Sequence, residues 1–230
     1  MNKLILEGDP PVEVLLRRSS RAKKLSLRVS QLDGRVTLTV PRYASEREAL
    51  GFAREKAAWL RGHVSRFEAD IVPTYGVELP YEGQMIRLEA GTGRKVLLVN
   101  DVLHVPGAPE RLGARVAAFL KENARVRLTG ASDHYAALLG RDFSRISLRD
   151  TRSRWGSCSS ERALMYSWRL IMAPPEVLDY VAAHEVAHLQ EMNHSRAFWA
   201  LVEQLYGAHA APRRWLREHG TGLHKFRFGN

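Results

Sequence analysis

The chain has 230 residues, 45% of them hydrophobic, and its 35 lysines and arginines exceed its 25 aspartates and glutamates to give a formal net charge of +10. This composition excludes a disordered chain, and the single cysteine, Cys158, excludes an intrachain disulfide framework. No apolar run approaches the roughly 18 residues of a membrane span, and the N-terminus lacks a signal-peptide core, so we expect a cytoplasmic protein with no membrane partner.

The first predicted elements are strands. The segment VEVLLRR at 12–18 indicates one strand. Apolar residues then alternate over 25–29 and over 36–40, on either side of the pair Asp33 and Gly34. Such alternation around an Asp-Gly pair is typical of a β-hairpin.

A strongly basic helix is predicted over residues 45–66. Ser45 and Glu48 have the spacing of a capping box, and apolar residues recur at helical intervals from Leu50 to Val64. The positive residues in and beside this helix are Arg42, Arg47, Arg54, Lys56, Arg61 and Arg66. Together with the net charge they favour an anionic partner, either nucleic acid or a nucleotide, although a solvated helix face is the more common explanation.

Short strands separated by turns are predicted over 75–105. A long helix follows over 108–139, with Thr129 and Gly130 as a candidate break and Gly140 as its end.

The segment PGAPE at 106–110 is the expected hinge of the chain. We therefore expect an α+β chain, with an N-terminal β-rich part containing one basic helix over 1–106 and a second part over 107–230.

The segment TRSRWGSCSS at 151–160 joins two predicted strands and holds three candidate functional residues. Arg154 is a candidate for binding an anion or polarising a substrate carbonyl, or else a structural arginine paired with an acid. Trp155 is either a substrate contact or a core residue. Cys158 has no adjacent base to activate it as a nucleophile, so a small buried thiol is the favoured interpretation.

The helix predicted to begin at Pro175 carries HEVAH at 184–188. His184 and His188 are four positions apart, so both imidazoles project from one helical face and can bind one ion, which suits zinc. In an H-E-x-x-H motif the glutamate, here Glu185, does not bind the metal but acts as the general base on the attacking water.

A catalytic zinc site needs a third protein ligand, and His194 is the nearest candidate. On an unbroken helix His194 would lie roughly 15 Å along the axis from His184. The helix must therefore end between Leu189 and His194. Asn193 tolerates the left-handed backbone that such a turn can use, and Ser195 is the expected N-cap of the next helix.

Two glutamates near these histidines have alternative roles. Glu203, in the second helix, is the competing third ligand and is otherwise a surface residue. Glu191 is expected to face solvent, and the alternative is that it holds a ligand histidine by a hydrogen bond.

These motifs, in this order, resemble those of the YgjP-like metallopeptidases, relatives of the SprT and WLM zinc-peptidase groups. The resemblance is strongest over 151–207, where RSRWGSCSS precedes HEVAHLQEMNHS and an aromatic pair, and it extends over about 21–226. It implies a zincin-like metallopeptidase core in which an extended peptide can pair with an edge strand. It also implies that Glu185 is the catalytic base and that the Zn2+ ligands are His184, His188 and His194.

The favoured function is therefore a zinc-dependent hydrolase, best described as a metallopeptidase acting on a peptide or protein substrate, with Arg154 or Tyr180 stabilising the oxyanion. Two alternatives stay open. The same chemistry would cleave a phosphoanhydride bond of a nucleotide. A basic nucleic-acid-binding protein would instead use zinc structurally, although structural zinc sites usually have four protein ligands.

Overall fold

The computed structural model describes residues 3–30, 34–64 and 70–229, which fall into two units, Met1–Ala69 and Asp70–Asn230. This division differs from the predicted boundary between residues 106 and 107. The reason is that the strands over residues 78–106 share one hydrophobic core with the helices that follow them.

The first unit contains a four-stranded sheet and two helices. Its elements are β1 (Lys3–Leu6), β2 (Val12–Ser19), β3 (Ser26–Val29), β4 (Val36–Pro41), α1 (Glu46–Glu55) and α2 (Ala57–Val64). The strand order is β1-β2-β4-β3, with β2 and β4 parallel and the other pairs antiparallel. Alternate strand residues such as Val14, Val36 and Leu38 are buried against Ala53 and Leu60 of the helices, as the sequence alternation requires.

The hairpin prediction is confirmed, because β3 and β4 pair antiparallel with Val29 opposite Val36. Asp33, the first residue of the predicted turn pair, lies outside the described residues. The capping box is also confirmed: Ser45 Oγ accepts a hydrogen bond from Glu48 N at 3.2 Å, and Ser45 N donates to Glu48 Oε2 at 2.7 Å.

The predicted single basic helix is two helices in the structure. Lys56 is the C-cap of α1, with φ of −93° and ψ of 6°, and α2 begins at the next residue. Arg66 lies outside the described residues.

The second unit begins with another four-stranded sheet, followed by a long helix. Its elements are β5 (Glu78–Tyr81), β6 (Gln84–Gly91), β7 (Leu97–Val99), β8 (Val102–Pro106) and α3 (Leu112–Leu139). The strand order is β5-β6-β8-β7. The predicted break of α3 at Thr129 and Gly130 is wrong, because Leu128 and Ser132 are fully buried on either side and hold the helix continuous. The predicted end at Gly140 is confirmed by its left-handed φ of 65°.

A three-stranded sheet and three helices complete the second unit. They are β9 (Arg145–Arg149), β10 (Gly156–Cys158), β11 (Ala163–Ser167), α4 (Pro175–Ala187), α5 (Arg196–Tyr206) and α6 (Ala210–His219), with 3-10 helices at Trp168–Met172 and Gly220–Lys225. The strand order β10-β11-β9 leaves β10 at an edge. The fold is thus mixed α+β, and within the described ranges no helix is both long and apolar enough to cross a membrane.

Candidate metal centre

The central element of the site is α4, a helix buried on nearly every side. Pro175 occupies its first turn, as predicted, and Ala182, Ala183 and Val186 are fully buried. A helix this deeply packed has little freedom to move. The backbone positions from which the side chains at 184, 185 and 188 project are therefore fixed.

The chain turns immediately after α4. The helix ends at Ala187, with His188 as its C-cap, and Gln190 N donates to Ala187 O at 3.1 Å. The next helix, α5, begins after Ser195, whose Oγ accepts a hydrogen bond from Phe198 N at 3.3 Å. Both the break and the N-cap were predicted, and both are confirmed.

Asn193 makes this turn differently from the prediction. It is not among the described residues with positive φ. Instead, its side-chain Oδ1 accepts a hydrogen bond from Ser195 N at 3.0 Å, which is an Asx turn that leads into the N-cap. Asn193 thus takes part in the turn through its side chain and does not use the left-handed backbone that it tolerates.

The turn brings three imidazoles together. His184 Nε2 and His194 Nε2 are 3.1 Å apart, and the ring centroids of His188 and His194 are 4.8 Å apart. One nitrogen from each of the three rings lies within 4.8 Å of the others, so the group could hold a metal ion. Tetrahedral zinc with Zn–N bonds of about 2.0–2.1 Å requires its ligand nitrogens to be about 3.3 Å apart, which is close to the His184–His194 distance.

The protonation of these rings suits metal binding. Burial, followed by the charges of His188 and His194, lowers the pKa of His184 to about 3, and burial also lowers the pKa of His188. Both rings are therefore neutral near pH 7, which is the form that ligates metals. His188 Nδ1 lies 2.9 Å from Glu191 O and donates to it when its Nε2 is the metal-facing nitrogen.

Two predicted roles for nearby glutamates can now be compared with the structure. Glu191 meets His188 through its backbone carbonyl rather than its carboxylate. Glu203 is exposed and is not a member of the group that could hold a metal.

Aromatic residues that the sequence analysis did not place in the site surround the imidazoles. Phe198 stacks on His188 with ring centroids 4.4 Å apart, and Trp199 lies 5.7 Å from His184 and 5.8 Å from His194. Arg213 lies 4.5 Å above the Trp199 ring. The sequence signal for these aromatic contacts is the pair Phe198 and Trp199, which follows the NHS segment.

Glu185 is 5% exposed and lies against β10. Burial raises the pKa of Glu185 to about 8, while the positive charge of Arg154 opposes that rise. Arg154 is exposed, so it is not the buried structural arginine of the alternative prediction. That structural role belongs to Arg169, which is 5% exposed and contacts Asp150 Oδ1 at 2.7 Å.

Three other residues singled out in the sequence, Trp155, Tyr180 and Cys158, lie outside the group of three imidazoles. The Trp155 ring packs towards His224, 5.4 Å away, rather than towards the imidazoles. The Tyr180 ring lies 5.9 Å from His184 and stacks on His209 at 6.0 Å. Cys158 is half-buried, and burial together with the charge of Glu185 raises the pKa of its thiol to about 11, which fits an unreactive thiol.

Comparison with known proteins gives one family and one solved structure. A family model described as "YgjP-like, metallopeptidase domain" matches residues 23–219. The chain is also similar to the "Crystal structure of the metallopeptidase zymogen of Pyrococcus abyssi abylysin", with 21% identity, a TM-score of 0.36, and coverage of 40% of this chain and 92% of that chain. A TM-score this low does not establish a shared fold. No curated protein matches the chain.

Proposed function

The chain belongs to the YgjP-like metallopeptidase family, and from that premise we propose that it is a zinc-dependent peptidase with a zincin-like core, in which Glu185 is the general base. The observation that carries the proposal is that three imidazoles from α4 and the following turn lie together, with a buried carboxylate on the residue next to His184. His184, His188 and His194 would hold the ion.

The donor set fits zinc better than calcium or magnesium. Imidazole nitrogens are preferred by zinc, whereas calcium and magnesium prefer oxygen ligands. Three protein ligands also leave a coordination position free, as in catalytic rather than structural zinc sites. When bound, zinc supplies a Lewis acid that lowers the pKa of water towards neutrality and polarises the scissile carbonyl.

The part of Glu185 in the reaction is proton transfer. Its carboxylate would take a proton from the attacking water and deliver it to the leaving amine. In the metal-free protein burial raises the pKa of Glu185 to about 8, and a divalent cation nearby would lower it, because opposite charge favours the ionised form. A pKa brought towards neutral pH allows the same group to accept and then return the proton.

Two side chains are candidates for stabilising the oxyanion. The Tyr180 ring contacts His184, and burial raises the pKa of the Tyr180 hydroxyl, which keeps it protonated and able to donate. Arg154 supplies a positive charge near Glu185. Trp155 was the third proposed substrate residue, but its packing towards His224 favours a structural role.

A peptide is the favoured substrate. The strand β10 lies at the edge of its sheet and next to Glu185, where an extended peptide could add as a further strand. The cytoplasmic location predicted from the sequence stays a prediction.

The alternative substrate is a nucleotide, in which a phosphoanhydride bond would be cleaved. Arg154 and Arg213 carry positive charge towards Glu185 and His184, respectively, and this charge would favour phosphate groups. The predicted nucleic-acid partner has no support beyond the net charge of the chain.

The test of the proposed function is turnover of a peptide library and of a nucleoside triphosphate panel. Each is measured on zinc-loaded protein, on chelator-treated protein and after zinc is restored. The proposal expects cleavage of peptide bonds that is lost with chelator and regained with zinc. Metal-dependent release of phosphate or pyrophosphate, with intact peptides, would favour the nucleotide alternative.

A further inference from the structure

We propose that Gly156 is a positioning residue that seats the side chain of Glu185, an inference that rests on the proposed role of Glu185 as the general base. A Cβ atom placed on Gly156 would lie 2.5 Å from Glu185 Cγ, 2.6 Å from Glu185 Oε1 and 2.8 Å from Glu185 Cδ. Non-bonded carbon atoms pack at about 3.5–4.0 Å. Any residue larger than glycine at this position must therefore displace either the strand, the helix or the glutamate side chain.

The backbone conformation at Gly156 does not itself require glycine. Its φ lies outside the left-handed region, unlike that of Gly140, whose φ of 65° ends α3. Gly156 is a regular strand residue that pairs with Tyr166 of β11. What requires glycine here is the close approach of a side chain to the strand.

The strand β10 is held beside Glu185 by the neighbouring strand β11 and by Trp155, so it has little room to retreat. Tyr166, which pairs with Gly156, is fully buried and its hydroxyl is 2.9 Å from Ser132 Oγ. Beside Gly156, Trp155 O accepts a hydrogen bond from Ser167 N at 2.8 Å. The Trp155 indole packs so closely on Gly220 that a Cβ there would lie 2.9 Å from its Cζ2.

The helix α4 cannot retreat either. Ala182, Ala183, Val186 and Ala187, which flank Glu185 in sequence, are all fully buried in the core of the second unit. The movement that remains is a rotation of the Glu185 side chain, which would take its carboxylate away from the strand. The missing side chain of Gly156 therefore leaves room for the Glu185 side chain in its observed rotamer. This gives the glycine of the WGS sequence in segment 151–160 a specific role.

The first arm of the test measures this contact without any metal. Thermal unfolding of the metal-free protein is compared for the parent, Gly156→Ala, Glu185→Ala and the double variant. Gly156→Ala is expected to lower Tm by roughly 3–10 °C in the parent background, as overpacking does. In the Glu185→Ala background it should lower Tm by less than about a third as much, because the three clashing atoms are gone.

The matched control is Gly130→Ala in α3. Beyond the adjacent residues and backbone of its own helix, a Cβ at Gly130 would meet no atom of the described residues within 4 Å, and Gly130, like Gly156, lies outside the positive-φ region. It is expected to leave Tm unchanged or raise it slightly, because alanine is the better helix former.

The second arm measures catalysis on the zinc-loaded protein. Gly156→Ala is expected to lower kcat by about 10–100-fold, to change KM by less than about threefold and to keep one zinc per chain, because the displaced base is not a ligand. Gly130→Ala should match the parent in all three quantities.

The outcomes separate the two proposals. If Tm falls equally with and without the Glu185 side chain, or if kcat of Gly156→Ala stays within about threefold of the parent, Gly156 does not seat the base. If Gly156→Ala alone fails to fold, a folded double variant supports the inference and an unfolded one overturns it. Should Glu185→Gln retain full activity, the proposed function fails, while the metal-free arm still decides whether the contact exists.

Discussion

His184 Nε2 and His194 Nε2 lie 3.1 Å apart, although ten positions separate the two residues in the sequence. A continuous helix would separate them by roughly 15 Å, so this distance exists only because α4 stops at Ala187 and the chain folds back through the Asx turn at Asn193. The termination of one helix therefore creates the candidate metal centre.

Replacing His194 with alanine should weaken zinc binding by roughly 100–1,000-fold, which is the share of zinc affinity expected from one of a few ligands. The measurement is a competition titration against a chelator of known affinity. Glu203→Gln is the matched control, because the sequence made Glu203 the competing candidate for third ligand, whereas in the structure it is exposed and outside the imidazole group. Equal affinities for the His194→Ala variant and the parent would contradict the assignment of His194.

Replacing Glu185 with glutamine should lower kcat by about 100- to 10,000-fold, because the amide cannot accept the proton from water. Zinc content should stay at the parent value, since Glu185 is not proposed as a ligand. The two measurements are steady-state peptide cleavage and metal analysis of the same preparation. A variant that loses zinc along with activity would mean that Glu185 acts on the metal site rather than on the proton.

Acid should destabilise the metal-free protein through His224. Burial, followed by the positive charge of Arg169, lowers the pKa of His224 from 6.5 to about 4. Between these values the unfolded chain binds a proton that the folded chain excludes. The stabilising contribution is therefore complete above pH 6.5 and is lost as the pH falls towards 4.

The measurement is urea unfolding at pH 7 and pH 5, for which the loss from this site is about 1–2 kcal/mol. The comparison is with His224→Gln, whose stability should fall less over the same pH range. Other histidines whose pKa is lowered by burial, His184 among them, contribute to both proteins, so the difference between the two isolates His224. An identical fall in parent and variant would rule out this contribution.

Replacing Asp150 with asparagine should destabilise the protein by about 2–4 kcal/mol. Arg169 is buried, and its guanidinium donates to both carboxylate oxygens of Asp150, at 2.7 and 3.1 Å, and to Leu223 O at 2.7 Å. Burial alone would raise the pKa of Asp150, but the hydrogen bond and charge of Arg169 lower it below its usual value. Asparagine removes that charge and leaves a buried cation partly unpaired.

Urea unfolding at pH 7 measures this loss, and Glu218→Gln is its control. Glu218 forms an exposed pair with Arg217 at 3.7 Å, so its replacement should change stability by no more than about 0.5 kcal/mol. If the two variants lost similar free energies of unfolding, burial of Arg169 would not make its ion pair with Asp150 more stabilising than an exposed pair.

Local sequence signals predicted much of the site. The spacing of His184 and His188, the N-cap at Ser195 and the need for a break between them follow from helix geometry over fewer than fifteen residues. The capping box at Ser45 and the hairpin before it are local in the same way. Each of these signals depends on neighbours in sequence, and each is present in the structure.

Features that depend on distant residues were not predictable in this way. Gly130 sits inside a helix because Leu128 and Ser132 are buried against other elements, and these contacts outweigh its low helix propensity. The contact of Gly156 with Glu185 joins residues 29 positions apart, and Trp155 turned out to pack on the C-terminal segment at Gly220. Local sequence patterns do not indicate contacts between residues that are distant in the sequence.

The three imidazoles differ in how tightly the backbone that carries them is packed. His184 and His188 come from a helix whose flanking alanines are fully buried, whereas His194 is exposed and comes from the loop between two helices. Two of the proposed ligands are thus held by a packed helix, and the third would be ordered on metal binding at a cost in loop entropy. Amide hydrogen exchange should accordingly slow on metal loading at residues 189–195 and change little within α4. The exchange rates of the loop would then report metal binding.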